Sequence, residues 1–200
     1  VKVEHPAKNS LYLLDAIAEY LTKPGDSICD CMAGAGSTMY VARTGRKVTL
    51  IEISLYFLNL LQQNREGFQG EIVIAPGDCR KILPILCHDG PKFDLIMFSP
   101  PYANTVKANT GTAVYDKAQR GIAEGIEAFA DNNPDNLGTM GEFWFNKAMQ
   151  DVYAKCFAAI KPGGHMAIII KDSMKQRQRV KYAELHSRMA IRLGFELQEW

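Results

Sequence analysis

The sequence predicts an α/β fold: a doubly wound, mostly parallel sheet with helices on both faces. Three observations carry this. Short apolar runs alternate with amphipathic stretches of helical period along the chain, which implies crossover connections and hence parallel strands. A glycine-rich loop, Ala33-Gly34-Ala35-Gly36, leads from the first such run into a helix, and an acid, Glu52, closes the next run. A fourth apolar run, Phe93-Asp94-Leu95-Ile96-Met97-Phe98, is stopped by Ser99-Pro100-Pro101-Tyr102.

The elements follow in order. Asn9 or Ser10 caps a helix whose Leu11, Leu14, Ile17, Ala18 and Leu21 recur at helical spacing, and Lys23-Pro24-Gly25-Asp26 ends it in a turn. Buried strands are expected near 27–31, 48–53, 71–75, 93–98 and 165–170, with helices near 37–44, 55–65, 79–86, 142–160 and 179–192. Lys161-Pro162-Gly163-Gly164 reads as a turn before the fifth strand, and Gly194-Phe195-Glu196-Leu197 as the start of a final one. The architecture is Rossmann-like. The chain stops at Trp200, where such a fold normally returns with one more strand, so either that strand lies outside this chain or the sheet is smaller than usual.

Composition bounds the class. Two hundred residues with 47% hydrophobic content suit a single domain. No apolar run reaches the roughly 20 residues that span a bilayer, and Val1-Lys2-Val3-Glu4-His5 has no signal-peptide shape. The five cysteines (Cys29, Cys31, Cys79, Cys87, Cys156) are odd in number and lack Cys-x-x-Cys spacing. Disulfide frameworks and metal sites are therefore not expected, and a reducing cytoplasm is the natural compartment.

Net charge is +1, so no whole-molecule field announces a nucleic-acid partner. Lys171, Lys175, Arg177, Arg179, Lys181, Arg188 and Arg192 cluster near the carboxyl end. They form either a phosphate-facing patch or a solvated helix face. Glu124, Glu127, Asp131 and Asp135 would repel phosphate. Between Tyr102 and Glu142, a 103–141 segment of weak periodicity exceeds the length compact domains usually tolerate. It reads as a substrate-facing lid or recognition insert, with disorder as the alternative.

Two prolines cannot continue a strand, since each fixes φ and lacks an N–H. The end of the 93–98 strand therefore presents a hydroxyl, an unpaired carbonyl and an aromatic ring at the carboxyl edge of the sheet, where α/β folds bind ligands. Those groups suit a planar ring bearing an N–H₂. A bare strand terminator is the plainer alternative. In the glycine loop, glycine permits close backbone approach and the helix start offers free N–H groups, although many βα turns need glycine for packing alone. Met39 stands where a dinucleotide fold would carry a third glycine. A ligand with ribose but no phosphate fits better.

Ser99-Pro100-Pro101-Tyr102 resembles the catalytic motif of the amino-group DNA methyltransferases, which modify cytosine N4 or adenine N6. Asp30-Cys31-Met32-Ala33-Gly34-Ala35-Gly36-Ser37-Thr38 is similar to that family's cofactor motif, with Cys31 and Met32 in place of Pro-Phe. His5-Pro6-Ala7-Lys8 resembles the segment that touches the methionine end of the cofactor. The resemblance implies a class I methyltransferase fold with S-adenosyl-L-methionine as cofactor. Asp30, Met32, Ala33, Gly34, Gly36, Ser37, Thr38, Glu52, Ile53, Asp78 and Cys79 would line its site. Asp78, which also reads as a helix N-cap, would sit near the adenine amino group.

Ser99, Pro100, Pro101 and Tyr102 would be catalytic. Ser99 Oγ and the Pro100 carbonyl accept from the amine, and Tyr102 stacks on a base flipped out of duplex DNA. Ser in the first position resembles the cytosine-N4 enzymes and favours cytosine over adenine. Carbon-5 methylation is disfavoured, because no cysteine follows a proline. RNA amino-methylation and a non-catalytic cofactor-binding subunit are the rival readings. The resemblance implies a prokaryotic or phage restriction-modification setting. Trp144 and Phe145 open a helix and read as core, with base stacking as the alternative, and neither His88 nor His165 shows the spacing of a catalytic His–carboxylate pair.

Overall fold

The structure, a computed structural model, describes residues 9–103, 133–175 and 178–198. Its centre is a five-stranded sheet, β1 (Ser27–Asp30), β2 (Lys47–Glu52), β3 (Ile72–Pro76), β4 (Phe93–Phe98) and β5 (Ile160–Ile168), in the order β3-β2-β1-β4-β5. All four pairings are parallel. The central strands β1, β2 and β4 are almost wholly buried, which is why they read as continuous apolar runs.

Helices α1 (Leu11–Leu21), α2 (Leu55–Arg65), α3 (Cys79–Leu86), α4 (Glu142–Ala159) and α5 (Tyr182–Ile191) cover the sheet. Ser37–Thr44, after the glycine loop, is a 3-10 helix. Leu14, Ala18, Ile28, Val41, Leu95 and Met97 form one core cluster. Ile96, Phe98, Phe145, Met149, Val152, Tyr153 and Met189 belong to another.

Chain order reverses between β1 and β4, which are neighbours in the sheet with Cys29 opposite Ile96. Such a switch point opens a crevice at the carboxyl ends of the strands. There β1 ends in Asp30, β2 in Glu52 and β4 in Phe98.

Four expectations need correcting. The fifth strand begins at Ile160, not near 165, and Lys161-Pro162-Gly163-Gly164 lies inside it with a shift of register between Phe93 and Leu95. Gly164 is required there, since an added Cβ would stand 2.8 Å from the Asp94 carbonyl oxygen. Residues 195–198 form no strand; Phe195 instead packs edge-on against Phe157 of α4, ring centres 5.0 Å apart. The last helix starts at Tyr182 because an antiparallel ribbon, β6 (Ser173–Lys175) with β7 (Gln178–Val180), takes up the residues before it. Trp144 is 60% exposed, whereas its neighbour Phe145 is buried.

The His5–Lys8 segment and residues 104–132 of the expected insert, with Glu124, Glu127 and Asp131, lie outside the described residues. No helix among the described residues is long and apolar enough to cross a membrane.

Candidate cofactor and base-binding site

The loop after β1 is braced from both ends by one buried acid. Asp30 Oδ1 accepts from the Met32 N–H at 3.1 Å, and Oδ2 accepts from Thr38 Oγ1 at 2.5 Å. Burial pushes the Asp30 carboxyl up to about 6, against the opposing pull of those two hydrogen bonds. Ala33 donates its N–H to the Ile51 carbonyl at 3.0 Å, and buried Asn64 of α2 donates Nδ2 to the Ala35 carbonyl at 3.0 Å. Asn64 carries no local sequence signal of this role.

The two glycines of the loop do different work. Gly34 (φ +53) turns its N–H onto Glu52 Oε2 at 2.7 Å. Gly36 (φ +87) makes room for packing: an added Cβ would lie 2.5 Å from Leu61 Cδ2 and 2.6 Å from Met39 Cε. Of the two sequence readings of glycine here, close packing holds at Gly36. Ser37 is half-buried and opens the 3-10 helix.

Glu52 is 8% exposed. Its Oε1 accepts from the Ser54 N–H at 2.8 Å. Burial raises its pKa, opposed by backbone hydrogen bonds from Ser54, Gly34 and Ile53. The Glu52 carbonyl accepts from the Gly77 N–H at 2.8 Å, tying the ends of β2 and β3 together.

Asp78 is the N-cap of α3, accepting from the Arg80 N–H at 2.9 Å. The Arg80 side chain folds back on the same carboxylate, Nη2 to Oδ2 at 2.7 Å. Arg80 Nη2 also donates to the Asp135 carbonyl at 3.2 Å, and Lys81 Nζ to Asp135 Oδ2 at 2.6 Å. The expected carboxylate is thus present, held by a cation that sequence reading did not single out. Cys79 is buried in the core.

Beyond β4, Pro100 is buried and Ser99, Pro101 and Tyr102 are half-buried. Gly138, in the turn Leu137–Thr139, stands against Pro101. Tyr102 Oη donates to the Lys171 carbonyl at 3.1 Å and accepts from the Lys171 N–H at 3.3 Å. Its ring meets Tyr182 edge-on, centres 5.2 Å apart. Beneath lies a buried pair, Tyr153 Oη hydrogen-bonded to His186 Nδ1. Burial lowers the His186 pKa to about 4 and pushes the Tyr153 hydroxyl far above its ordinary range.

Three of the seven basic residues near the carboxyl end are ion-paired among the described residues. Arg179 pairs with Asp172 at 2.8 Å, and Glu184 takes both Lys181 and Arg188. That matches the solvated-face reading. Among the described residues no cluster of His, Cys, Asp and Glu is arranged to hold a metal ion.

A family model described as conserved hypothetical protein 95 matches residues 10–119, more than half of the chain. The chain belongs to the conserved hypothetical protein 95 family.

This family member is also similar to known methyltransferases. It is 36% identical over 81 residues to the ribosomal RNA small subunit methyltransferase A of Novosphingobium aromaticivorans. That match covers 40% of this chain and spans 30% of the relative's length.

Among solved structures, a TehB-like S-adenosylmethionine-dependent methyltransferase from Corynebacterium glutamicum superposes with a TM-score of 0.54 at 17% identity, covering 95% of this chain and 76% of that one. A precorrin 8w decarboxylase from Methanobacterium thermoautotrophicum gives a TM-score of 0.56 at 13% identity, covering 96% and 76%. The fold of this conserved hypothetical protein 95 member is therefore that of the class I methyltransferases. The first of these structures is described as S-adenosylmethionine-dependent.

The residues fit that cofactor. Glu52 accepts backbone N–H groups from Gly34, Ser54 and Ile53, which leaves its two oxygens acceptor capacity for one ribose hydroxyl. Asp78 lies two residues beyond β3, where its carboxylate accepts from the Arg80 N–H and guanidinium, so it meets an adenine amine only by sharing those oxygens.

Proposed function

We propose that this protein transfers a methyl group from S-adenosylmethionine to the exocyclic amine of a flipped nucleobase, cytosine N4 in DNA. The observation that carries the reading is the half-buried Ser99-Pro100-Pro101-Tyr102 turn at the end of β4, beside the strand that leads into the glycine loop.

Bound S-adenosylmethionine supplies an electrophilic methyl group. Glu52 would hold the ribose hydroxyls, and Asp78, sharing its oxygens with Arg80, would accept from the adenine amine. Ser99 Oγ and the Pro100 carbonyl accept the two N–H bonds of the target amine. They draw its nitrogen toward tetrahedral geometry and localise the lone pair that attacks the methyl carbon. Transfer would leave S-adenosylhomocysteine as the leaving group, and the amine's surplus proton would pass to solvent. Tyr102, held by the Lys171 backbone, stacks on the base. Orientation and fixed acceptors supply most of the rate.

A second reading, an amine of ribosomal RNA, is favoured by the name of the 36% identical relative. The same acceptors serve both nucleic acids.

The test pairs calorimetric titration of S-adenosylmethionine with labelled-methyl transfer for wild type and Ser99→Ala. The variant is expected to keep the cofactor Kd within about 2-fold and lose about 100-fold or more in transfer. Unchanged transfer would remove Ser99 from the chemistry.

A further inference from the structure

Two rings pack at the ends of the Ser99–Tyr102 turn, one on the residue before it and one on its last residue. Phe98, the residue before the turn, packs on Tyr153 with ring centres 6.2 Å apart. Tyr102, at the far end of the turn, packs on Tyr182 at 5.2 Å. Tyr182 in turn lies 6.5 Å from His186, and the ring of His186 lies 5.9 Å from that of Tyr153. The loop of contacts closes through the hydrogen bond between Tyr153 Oη and His186 Nδ1. Phe145 at the start of α4 packs edge-on with the imidazole, ring centres 6.2 Å apart.

Tyr153 and His186 are fully buried and sit on different helices, α4 and α5. A polar pair in an apolar core is costly unless each partner satisfies the other, so it admits one arrangement of the two helices and resists slippage. That arrangement fixes Tyr182. Through it, the pair fixes the Tyr102 ring, whose hydroxyl is already held by both backbone groups of Lys171. A flipped base needs its acceptors and its stacking face at one spacing, and misplacement by about 1 Å is expensive in rate.

We propose that Tyr153 and His186 are positioning residues that set the distance between the Ser99 acceptor and the Tyr102 ring. The role deepens the methyltransferase reading and rests on it. Neither residue touches substrate or cofactor; each acts through Phe98 or Tyr182.

The test uses Tyr153→Phe, His186→Phe, the double variant and Tyr182→Leu in the full chain. Each single change in the buried pair leaves the other polar group unpartnered and should lower Tm by about 3–8 °C; the double keeps the rings, removes both polar groups and should return Tm to within about 2 °C. Three readouts accompany Tm: kcat for methyl transfer, cofactor Kd, and amide hydrogen exchange at Tyr102, Ala103 and Lys171.

In the double variant and in Tyr182→Leu, kcat should stay about 10-fold or more below wild type. Exchange at those three amides should quicken about 10-fold while β1 and β2 keep their protection and Kd is unchanged. If kcat and exchange recover together with Tm in the double, the pair is core packing only and the proposal falls. Unaltered exchange at Tyr102 and Lys171 in Tyr182→Leu also overturns it. Should wild type transfer no methyl group to nucleic acid, the methyltransferase reading fails separately, and exchange alone still decides the positioning role.

Discussion

The Gly34 N–H points at Glu52 Oε2 from 2.7 Å, so the acid that ends β2 anchors the glycine loop that follows β1. One carboxylate thus shapes the loop and keeps lone pairs for a ligand. Removing it should affect both. Glu52→Gln keeps an acceptor but loses charge, and should weaken S-adenosylmethionine about 10-fold. Glu52→Ala should weaken it about 100-fold, since a hydrogen bond to a charged group contributes about 1.5–3 kcal/mol. Calorimetric titration checks both.

Gly36 is expected to tolerate no side chain. At φ +87 an alanine is strained, and its Cβ would press on Leu61 and Met39. Gly36→Ala should lower unfolding free energy by about 2–4 kcal/mol. With Leu61→Ala added, the two losses should fall short of their sum by about 1 kcal/mol or more, because the shortened side chain frees the space. Urea denaturation of the four proteins measures this.

Two buried groups give opposite pH dependences. The Asp30 carboxyl, raised to about 6, keeps its proton in the folded state between about pH 4 and 6 where the unfolded chain has released it. Stability therefore falls as pH rises through that window. His186, lowered to about 4, stays neutral when folded while the unfolded chain is protonated below about 6.5. Stability therefore rises with pH from about 4 to 6.5. Each contributes on the order of 3 kcal/mol, so in wild type they nearly cancel there. Asp30→Asn should expose a rising profile and His186→Phe a falling one, read by denaturant titration from pH 4 to 7.

Adjacent aromatics at the start of α4 should behave differently. Phe145 is 2% exposed and Trp144 60% exposed. Phe145→Ala should cost about 3–5 kcal/mol, whereas Trp144→Ala should stay within about 0.5 kcal/mol. Thermal unfolding separates the two.

Much of the fold was legible because its information is local. The strands β1 to β4 are short apolar runs bounded by turn residues, and their expected ends agree with the structure to within a residue or two. The start of β5 was hidden, since Pro162, Gly163 and Gly164 carry turn chemistry while sitting in a bulged strand. The ribbon β6–β7 is short and polar, with no alternation to betray it. The places of the glycine loop, Glu52 and Asp78 in the fold were readable from contiguous motifs and strand ends. Asn64, 29 residues from the carbonyl it satisfies, and His186, 33 residues from Tyr153, were not. Nothing near either residue in sequence records the partner. Trp144 and Phe145 were indistinguishable for a related reason: helical phase alone does not say which of two neighbours faces the core.

The deciding measurement is mass spectrometry of nucleosides from duplex DNA incubated with the protein and S-adenosylmethionine carrying a deuterated methyl group. Labelled N4-methylcytosine is the expected product, absent with Ser99→Ala. Labelled N6-methyladenine would keep the chemistry and change the base. No labelled nucleoside in DNA, from protein that binds the cofactor, would contradict the proposed substrate and, if ribosomal RNA is also unlabelled, the proposed reaction.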